Sequence, residues 1–149
     1  MKTLILLNSI ILLYSSSAKI PNSQISKTTE CLNYQPQKVL LEGMLYKKSF
    51  PGPPNYTDIK QGDKEEIVWL IKTPRGFCVN DNGDDWAGKL VNQTDVQLVI
   101  LPKLIDWYET KKSILGQRAI VTGTLFPQMS GHHRTEVLIT VESLEKANE

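Results

Sequence analysis

The chain has 149 residues, with 17 lysine and arginine residues against 16 aspartate and glutamate residues. This near-neutral balance argues against a nucleic-acid-binding protein, which usually carries a clear basic excess, and against an electrostatic membrane binder. Once an N-terminal leader is removed, the remaining length is that of one domain.

The N-terminus has the pattern of a secretory signal peptide. A lysine is followed by an almost wholly apolar run, Leu4–Leu13, and then by small residues that end at Ala18, so we expect cleavage after Ala18. The run is shorter than the roughly 20 residues that span a bilayer; a retained anchor is the alternative. We therefore predict a signal peptide at 1–18, a flexible polar lead-in at 19–30 and an exported chain without stable membrane insertion.

Export makes a disulfide the expected state of the two cysteines, Cys31 and Cys78. Such a bridge would tie the segment before the first predicted strand to the end of the second. The entropy of closing a loop of this length gives it a stabilising effect of about 4 kcal/mol. Two buried free thiols are the alternative.

Alternating apolar residues predict five β-strands. The strands cover Val39–Tyr46, Glu66–Thr73, Val96–Leu101, Ala119–Phe126 and Val137–Val141. A helix that starts at Pro102 and ends at Gly116 is predicted between the third and fourth strands. This order is that of the OB-fold, so we predict a mainly-β, small five-stranded OB-like barrel over 31–145, followed by a frayed tail at 146–149. A split sandwich is the alternative.

Two of the predicted strands share a near-repeat. Residues 41–45 read LEGML and residues 121–125 read VTGTL, and a Phe-Pro pair follows each copy. A glycine inside a strand usually marks a bulge or a sharp bend. We therefore expect Gly43 and Gly123 to let their strands bend around the barrel.

The most unusual residues lie in two predicted loops. The first begins with FPGPPNY at 50–56 and ends with Gly-Asp at 62–63, and the second contains GHHRT at 131–135. In an OB-fold these two loops lie close together, and ligands bind near them. The prolines stiffen the first loop into a preformed surface, although it could instead only plug a barrel end. We expect ligand contacts from Phe50, Pro53, Asn55, Tyr56, Asp63, His132, His133 and Arg134.

The two loop motifs, with cysteines flanking the first two strands, resemble an uncharacterised family of bacterial exported domains of unknown function. The family pattern reads FPGPPNYxSIxxGD and GHHHT, and the resemblance runs from about Cys31 to Leu144. This chain departs from the pattern at Arg134, where a third histidine is usual, and at Thr57-Asp58, near the usual serine. The family has no established activity, so the resemblance implies bacterial export and an architecture but no function.

The chain offers little that points to catalysis. Its two histidines, His132 and His133, fall short of a zinc site, which needs a third ligand and usually a fourth; Glu136, Asp63 or Tyr56 would have to supply them. A G-x-S-x-G elbow, a P-loop, a Rossmann fingerprint and a C-x-x-C pair are all absent from the sequence. We predict no cofactor.

The leading hypothesis is a non-catalytic binding module of the bacterial periplasm or secreted fraction. Its two unusual loops would hold a protein, a glycan or a small ligand, because unusual residues cluster there while the rest of the sequence is typical of a scaffold. The alternatives are a metal-dependent hydrolase that uses His132 and His133, and a protein that inhibits, or gives immunity against, a secreted toxin.

Overall fold

A computed structural model describes residues 31–81, 83 and 88–148 of the chain. The predicted signal peptide and lead-in lie outside these residues. In the described part, no helix is long and apolar enough to cross a membrane.

Five strands close into a barrel in the order β1-β2-β3-β5-β4. The strands are β1 (Lys38–Pro51), β2 (Glu65–Val79), β3 (Leu90–Val99), β4 (Arg118–Pro127) and β5 (Val137–Lys146). β3 and β5 run parallel, and the other neighbouring pairs run antiparallel. The predicted mainly-β, OB-like barrel is therefore confirmed.

The inward-facing residues of all five strands form the core. Along β4, buried positions alternate strictly with more exposed ones, as expected for a strand with one face on the core. Leu45, Ile71, Val96, Val121 and Ile139 are fully buried. Burying a side chain of this size contributes about 1.5–3 kcal/mol, so the periodicity that predicts the strands also supplies the main stabilisation of the barrel.

The predicted helix between the third and fourth strands is broken into three short helical turns. A four-residue helix α1 (Trp107–Thr110) lies between two 3-10 turns, Pro102–Leu104 and Lys112–Ile114. No side chain caps the N-terminus of any of the three, and a helix this short has little stability of its own. Gly116 ends the segment in a left-handed conformation with φ 77°, as predicted.

Both glycines of the near-repeat lie at close backbone approaches. A Cβ on Gly43 would stand 2.2 Å from the carbonyl oxygen of Lys72, and one on Gly123 would stand 2.0 Å from that of Thr140. Gly43 lies where β1 passes from β4 to β2, and a register shift in the β4–β5 pair falls next to Gly123. The bends expected at these two glycines stay a prediction, and the close approaches explain why glycine is needed there.

Several strands are longer than the sequence indicates. β1 continues through Pro51, and β2 passes through Pro74 to Val79, with a register irregularity between Lys72 and Phe77. Beyond Lys72, β2 has left β1, so the missing N–H of Pro74 removes no bond to that strand. β5 extends through Lys146, and the backbone N–H of the buried Ala147 donates to the carbonyl of Arg118 at 2.9 Å, where fraying was expected.

The predicted disulfide joins Cys31 and Cys78. Next to it, the N–H of Leu32 donates to the carbonyl of Cys78, and the N–H of Gln35 donates to Leu125 in β4. Tyr34, between them, is 3% exposed and belongs to the core. The segment before β1 therefore links β2 to β4, with the disulfide at its start.

Candidate binding site formed by two loops

The first loop, residues 52–64 between β1 and β2, is organised around the carboxylate of Asp63. That carboxylate accepts backbone N–H groups from Asn55 at 2.8 Å, Thr57 at 2.7 Å and Asp58 at 3.0 Å. The bond from Thr57 does most to lower the pKa of Asp63 to about 2, although burial opposes it. Because Asp63 is itself buried, these bonds fix the conformation of the loop from within.

Tyr56 lies at the turn of the first loop in a left-handed conformation, with φ 59°. Few residues other than glycine adopt this conformation, because it crowds the Cβ atom. The N–H of Tyr56 donates to the carbonyl of Gly52 at 2.9 Å, and its ring lies so close to Gly131 that a Cβ there would be 3.3 Å away. The strained turn thus directs the Tyr56 ring against the second loop.

The second loop, residues 128–136 between β4 and β5, is held by the side chain of Gln97. Its Nε2 donates to the carbonyl of His132 at 3.1 Å, and its Oε1 accepts the backbone N–H of Arg134 at 2.6 Å. Gln97 is 7% exposed, so this amide replaces water as the partner of the loop backbone.

The second loop also covers a small apolar patch on the outer surface of the barrel. Val68, Leu70 and Leu138 are buried but lie outside the main core cluster. Pairing between strands places Leu70 and Leu138 on either side of Gln97. The loop backbone held by Gln97 therefore lies over this patch, which gives the loop a hydrophobic reason to stay folded against the barrel.

Glu66, in β2, anchors the second loop, and His132 of that loop reaches the first. Its Oε2 accepts a hydrogen bond from Nη2 of Arg134 at 2.6 Å, and its Oε1 is 2.7 Å from Nδ1 of His132. Nη2 of Arg134 also donates to the carbonyl of Pro51 at 2.7 Å, and Nε2 of His132 lies 3.1 Å from the hydroxyl of Tyr56. We call Glu66, Arg134, His132 and Tyr56 the loop clamp.

The side chains of the loop clamp differ in how far they are exposed to water. The side chain of Arg134 is 10% exposed, that of Glu66 is 23% exposed and that of His132 is 57% exposed. Although partial burial alone would raise it, hydrogen bonds and charge from Arg134 and His132 hold the pKa of Glu66 below its ordinary value. Glu66 is therefore ionised at neutral pH and attracts the guanidinium of Arg134.

Aromatic rings of the first loop and of β1 stack on the same arginine. The guanidinium of Arg134 lies 5.4 Å from the ring centroids of both Phe50 and Tyr56, and the ammonium of Lys48 lies 5.1 Å from that of Phe50. Such contacts contribute about 0.5–2 kcal/mol each. Phe50 and Arg134, both predicted to contact a ligand, are thus used largely in holding the protein together.

The two histidines make separate contacts. His132 bonds Glu66 and Tyr56, whereas Nδ1 of His133 accepts the backbone N–H of Met129 at 2.8 Å and its ring packs against Phe126. Partial burial, with a smaller effect from His132, lowers the pKa of His133. Within residues 31–81, 83 and 88–148, no group of three or more His, Cys, Asp or Glu side chains could hold a metal ion.

Of the predicted residues, the structure brings Phe50 and Tyr56 into contact with Arg134, and Tyr56 into contact with His132. The predicted residues differ in exposure: Asp63 is buried, Pro53 and His133 are partly buried, and Asn55 and His132 are exposed. Pro54 and Met129, which were not predicted, are exposed beside them. Ligand binding by the predicted residues stays a prediction, and the residues open to a partner are now those at the loop tips.

Three supporting residues escaped sequence analysis. Gln97 lies between two inward-facing residues of β3, so the pattern predicts that it faces solvent, although it is buried. The pattern predicts an ordinary polar strand residue at Glu66 and a turn residue at Gly131. Nothing in their spacing predicts these roles, because each depends on the path of a loop far away in sequence.

Residues 95–145 match the family model described as a domain of unknown function, DUF4431. The matched segment begins in β3 and includes the whole second loop, with Gln97 and Arg134. The chain is therefore similar to an uncharacterised family, in agreement with the resemblance seen in its motifs. No curated protein matches the chain in sequence.

Proposed function

We propose that this protein is an exported, non-catalytic binding module that presents its two loops to a partner as one surface. The loop clamp carries the proposal: Glu66 binds Arg134 and His132 of the second loop while His132 reaches Tyr56 of the first. A surface ordered before binding loses little conformational entropy when it binds. Export is supported by the leader pattern of the sequence and by the disulfide, which is typical of oxidising compartments.

The occupied aromatic rings favour a macromolecular partner over a small stacked ligand. A planar ligand would have to displace Arg134 or Lys48 from the Phe50 ring. The exposed side chains of the second loop are instead those of Met129, which is 62% exposed, and His132, which is 57% exposed. Exposed loop side chains of this kind suit contact with the surface of another protein, where methionine is often enriched.

The separate contacts of the two histidines favour binding over metal-dependent hydrolysis. A zinc site would require both imidazoles to leave their partners, Glu66 for His132 and the Met129 amide for His133, and to converge with a third ligand. Inhibition of a secreted toxin would use the same tip contacts as any other protein interaction. The identity of the captured partner distinguishes it.

The test is capture of a partner from envelope and secreted fractions of the native host, followed by mass spectrometry. The variant Asn55→Ala/Met129→Ser changes only exposed tip side chains. The control Lys103→Ala/Ile105→Ser removes a similarly exposed apolar side chain, since Ile105 is 57% exposed, from the connection before β4.

We expect the native chain and the control to retain the same partner and the tip variant to lose it, with all three showing the same thermal unfolding. A partner held equally by the tip variant would contradict the assignment of the binding surface to the loops. Hydrolysis of a substrate by the zinc-loaded native chain would contradict the non-catalytic proposal if the His132→Ala variant, loaded in the same way, lost that activity.

A further inference from the structure

The outer edge of β1 is open over a short stretch. In an antiparallel pair, successive residues direct their backbone N–H and C=O groups to opposite edges of the strand. Leu45 directs both groups away from β2: its N–H donates to Gln117 at 3.0 Å and its C=O accepts from Gly116 at 2.8 Å. Residues two and four positions further along, Lys47 and Ser49, direct their groups to the same edge.

β4 does not follow β1 along this edge. The last residue of β1 paired with β4 is Met44, which lies opposite Arg118, and Leu45 makes the final backbone bonds to the preceding turn. At the far end, the carbonyl of Pro51 accepts from Arg134. Across the described ranges of the chain, no hydrogen bond to another element reaches the backbone of Lys47 or Ser49 along this edge.

We propose that this open edge binds an extended, acidic peptide segment by adding a strand antiparallel to β1. The two residues offer two N–H donors and two C=O acceptors in register, which is the arrangement that strand addition requires. Lys47 and Lys48 are exposed here, so acidic side chains on the added strand would meet cations.

The charge at the edge selects this occupant over a second copy of the chain. Pairing of two β1 edges around a two-fold axis would bring Lys47 and Lys48 of each copy close to those of the other, and like charges across a strand pair are destabilising. Lysines on an edge strand discourage such self-association. An acidic strand turns the same charges into attraction. This site is distinct from the exposed loop tips and does not rest on the proposed function.

The probe is a short, end-capped peptide that alternates glutamate with valine, compared with the same peptide carrying lysine in place of glutamate. NMR titration of the full chain follows the hydrogen exchange of individual amides. We expect the acidic peptide to slow exchange at Lys47 and Ser49 by roughly tenfold or more at saturation. The amide of Lys48, which faces β2, serves as the internal control and should not change.

Two variants separate strand addition from a loose electrostatic contact. Ser49→Pro removes one donor at a position where an edge strand tolerates proline, and Ser49→Ala keeps the donor as its control. Lys47→Glu changes only an exposed side chain and should weaken the acidic peptide about tenfold, so it serves even if Ser49→Pro does not fold. Equal protection by both peptides, no protection by either, or protection of these amides by self-association without peptide would each overturn the proposal.

Discussion

At the scale of single residues, the two loops depend on a few partly or fully buried polar side chains. Asp63 holds the backbone of the first loop, and Gln97 holds that of the second. Glu66 binds Arg134 and His132 of the second loop, and His132 in turn reaches Tyr56 of the first. An unpaired buried polar group costs about 1–3 kcal/mol, so each of these side chains makes one loop conformation much more favourable than its alternatives.

Arg134→Ala should lower the free energy of unfolding by about 2–3 kcal/mol, because it leaves the carboxylate of Glu66 partly buried and short of its partner. The matched control is Arg118→Ala, which breaks an exposed ion pair with Glu42 and should cost no more than about 1 kcal/mol. Urea denaturation of the three proteins measures both. Equal losses in the two variants would show that the Arg134 contact is an ordinary surface pair.

The contribution of Asp63 to stability should depend on pH. Its pKa is lowered to about 2 in the folded protein, against about 4 in an unfolded chain. The stabilising effect is therefore complete above about pH 4 and is lost as the pH falls towards about 2. The thermal unfolding midpoints of native protein and Asp63→Asn, measured over this range, should differ most at neutral pH and converge in acid. A gap that stays constant would contradict this role.

At the scale of elements, the sequence predicts what depends on local pattern. Alternation places all five strands, because a strand with one buried face must alternate. The short helical segment is less predictable: an apolar stripe from Leu104 to Leu115 favours a continuous helix, whereas the structure has three short turns, none with a side-chain N-cap. The end of β1 at Pro51 is equally hard to predict from the sequence, because its partner residues in β2 follow a long loop.

Replacing either glycine of the near-repeat should be severely destabilising. A Cβ at Gly43 or Gly123 would overlap a backbone carbonyl of the neighbouring strand, and backbone cannot move aside as a side chain can. We expect Gly43→Ala and Gly123→Ala each to lower the free energy of unfolding by about 3 kcal/mol or more. Gly88→Ala, where no atom of residues 31–81, 83 and 88–148 lies within 4 Å of the added methyl group, is the control. Circular dichroism during thermal unfolding compares them, and a Gly43→Ala variant as stable as the control would be contrary to the close approach described here.

At the scale of the whole molecule, the disulfide holds the segment before β1 against the closed barrel. The bridge between Cys31 and Cys78 spans 47 sequence positions and anchors the segment that carries the buried Tyr34. The sequence predicts this bridge because a leader pattern and two cysteines suffice for that prediction. The contact of the two loops is predicted by the OB-like order of elements, but the clamp is not, since it depends on side chains up to 76 positions apart.

The double variant Cys31→Ser/Cys78→Ser should lose about 4 kcal/mol of stability, because the unfolded chain regains the freedom that the bridge removes. Denaturation of the native chain with and without a reductant should show the same loss. The reductant should have no effect on the double variant, which controls for its other actions. A native chain equally stable after full reduction would contradict the structural role of the bridge.

The most direct test of the central claim, that the two loops form one rigid surface before any partner binds, is backbone ¹⁵N relaxation of the free protein. The account predicts order parameters near those of the strands, about 0.85, throughout the first and second loops, with a fall at both loops when Arg134 is replaced by alanine. Order parameters below about 0.6 in either loop of the native protein would contradict it.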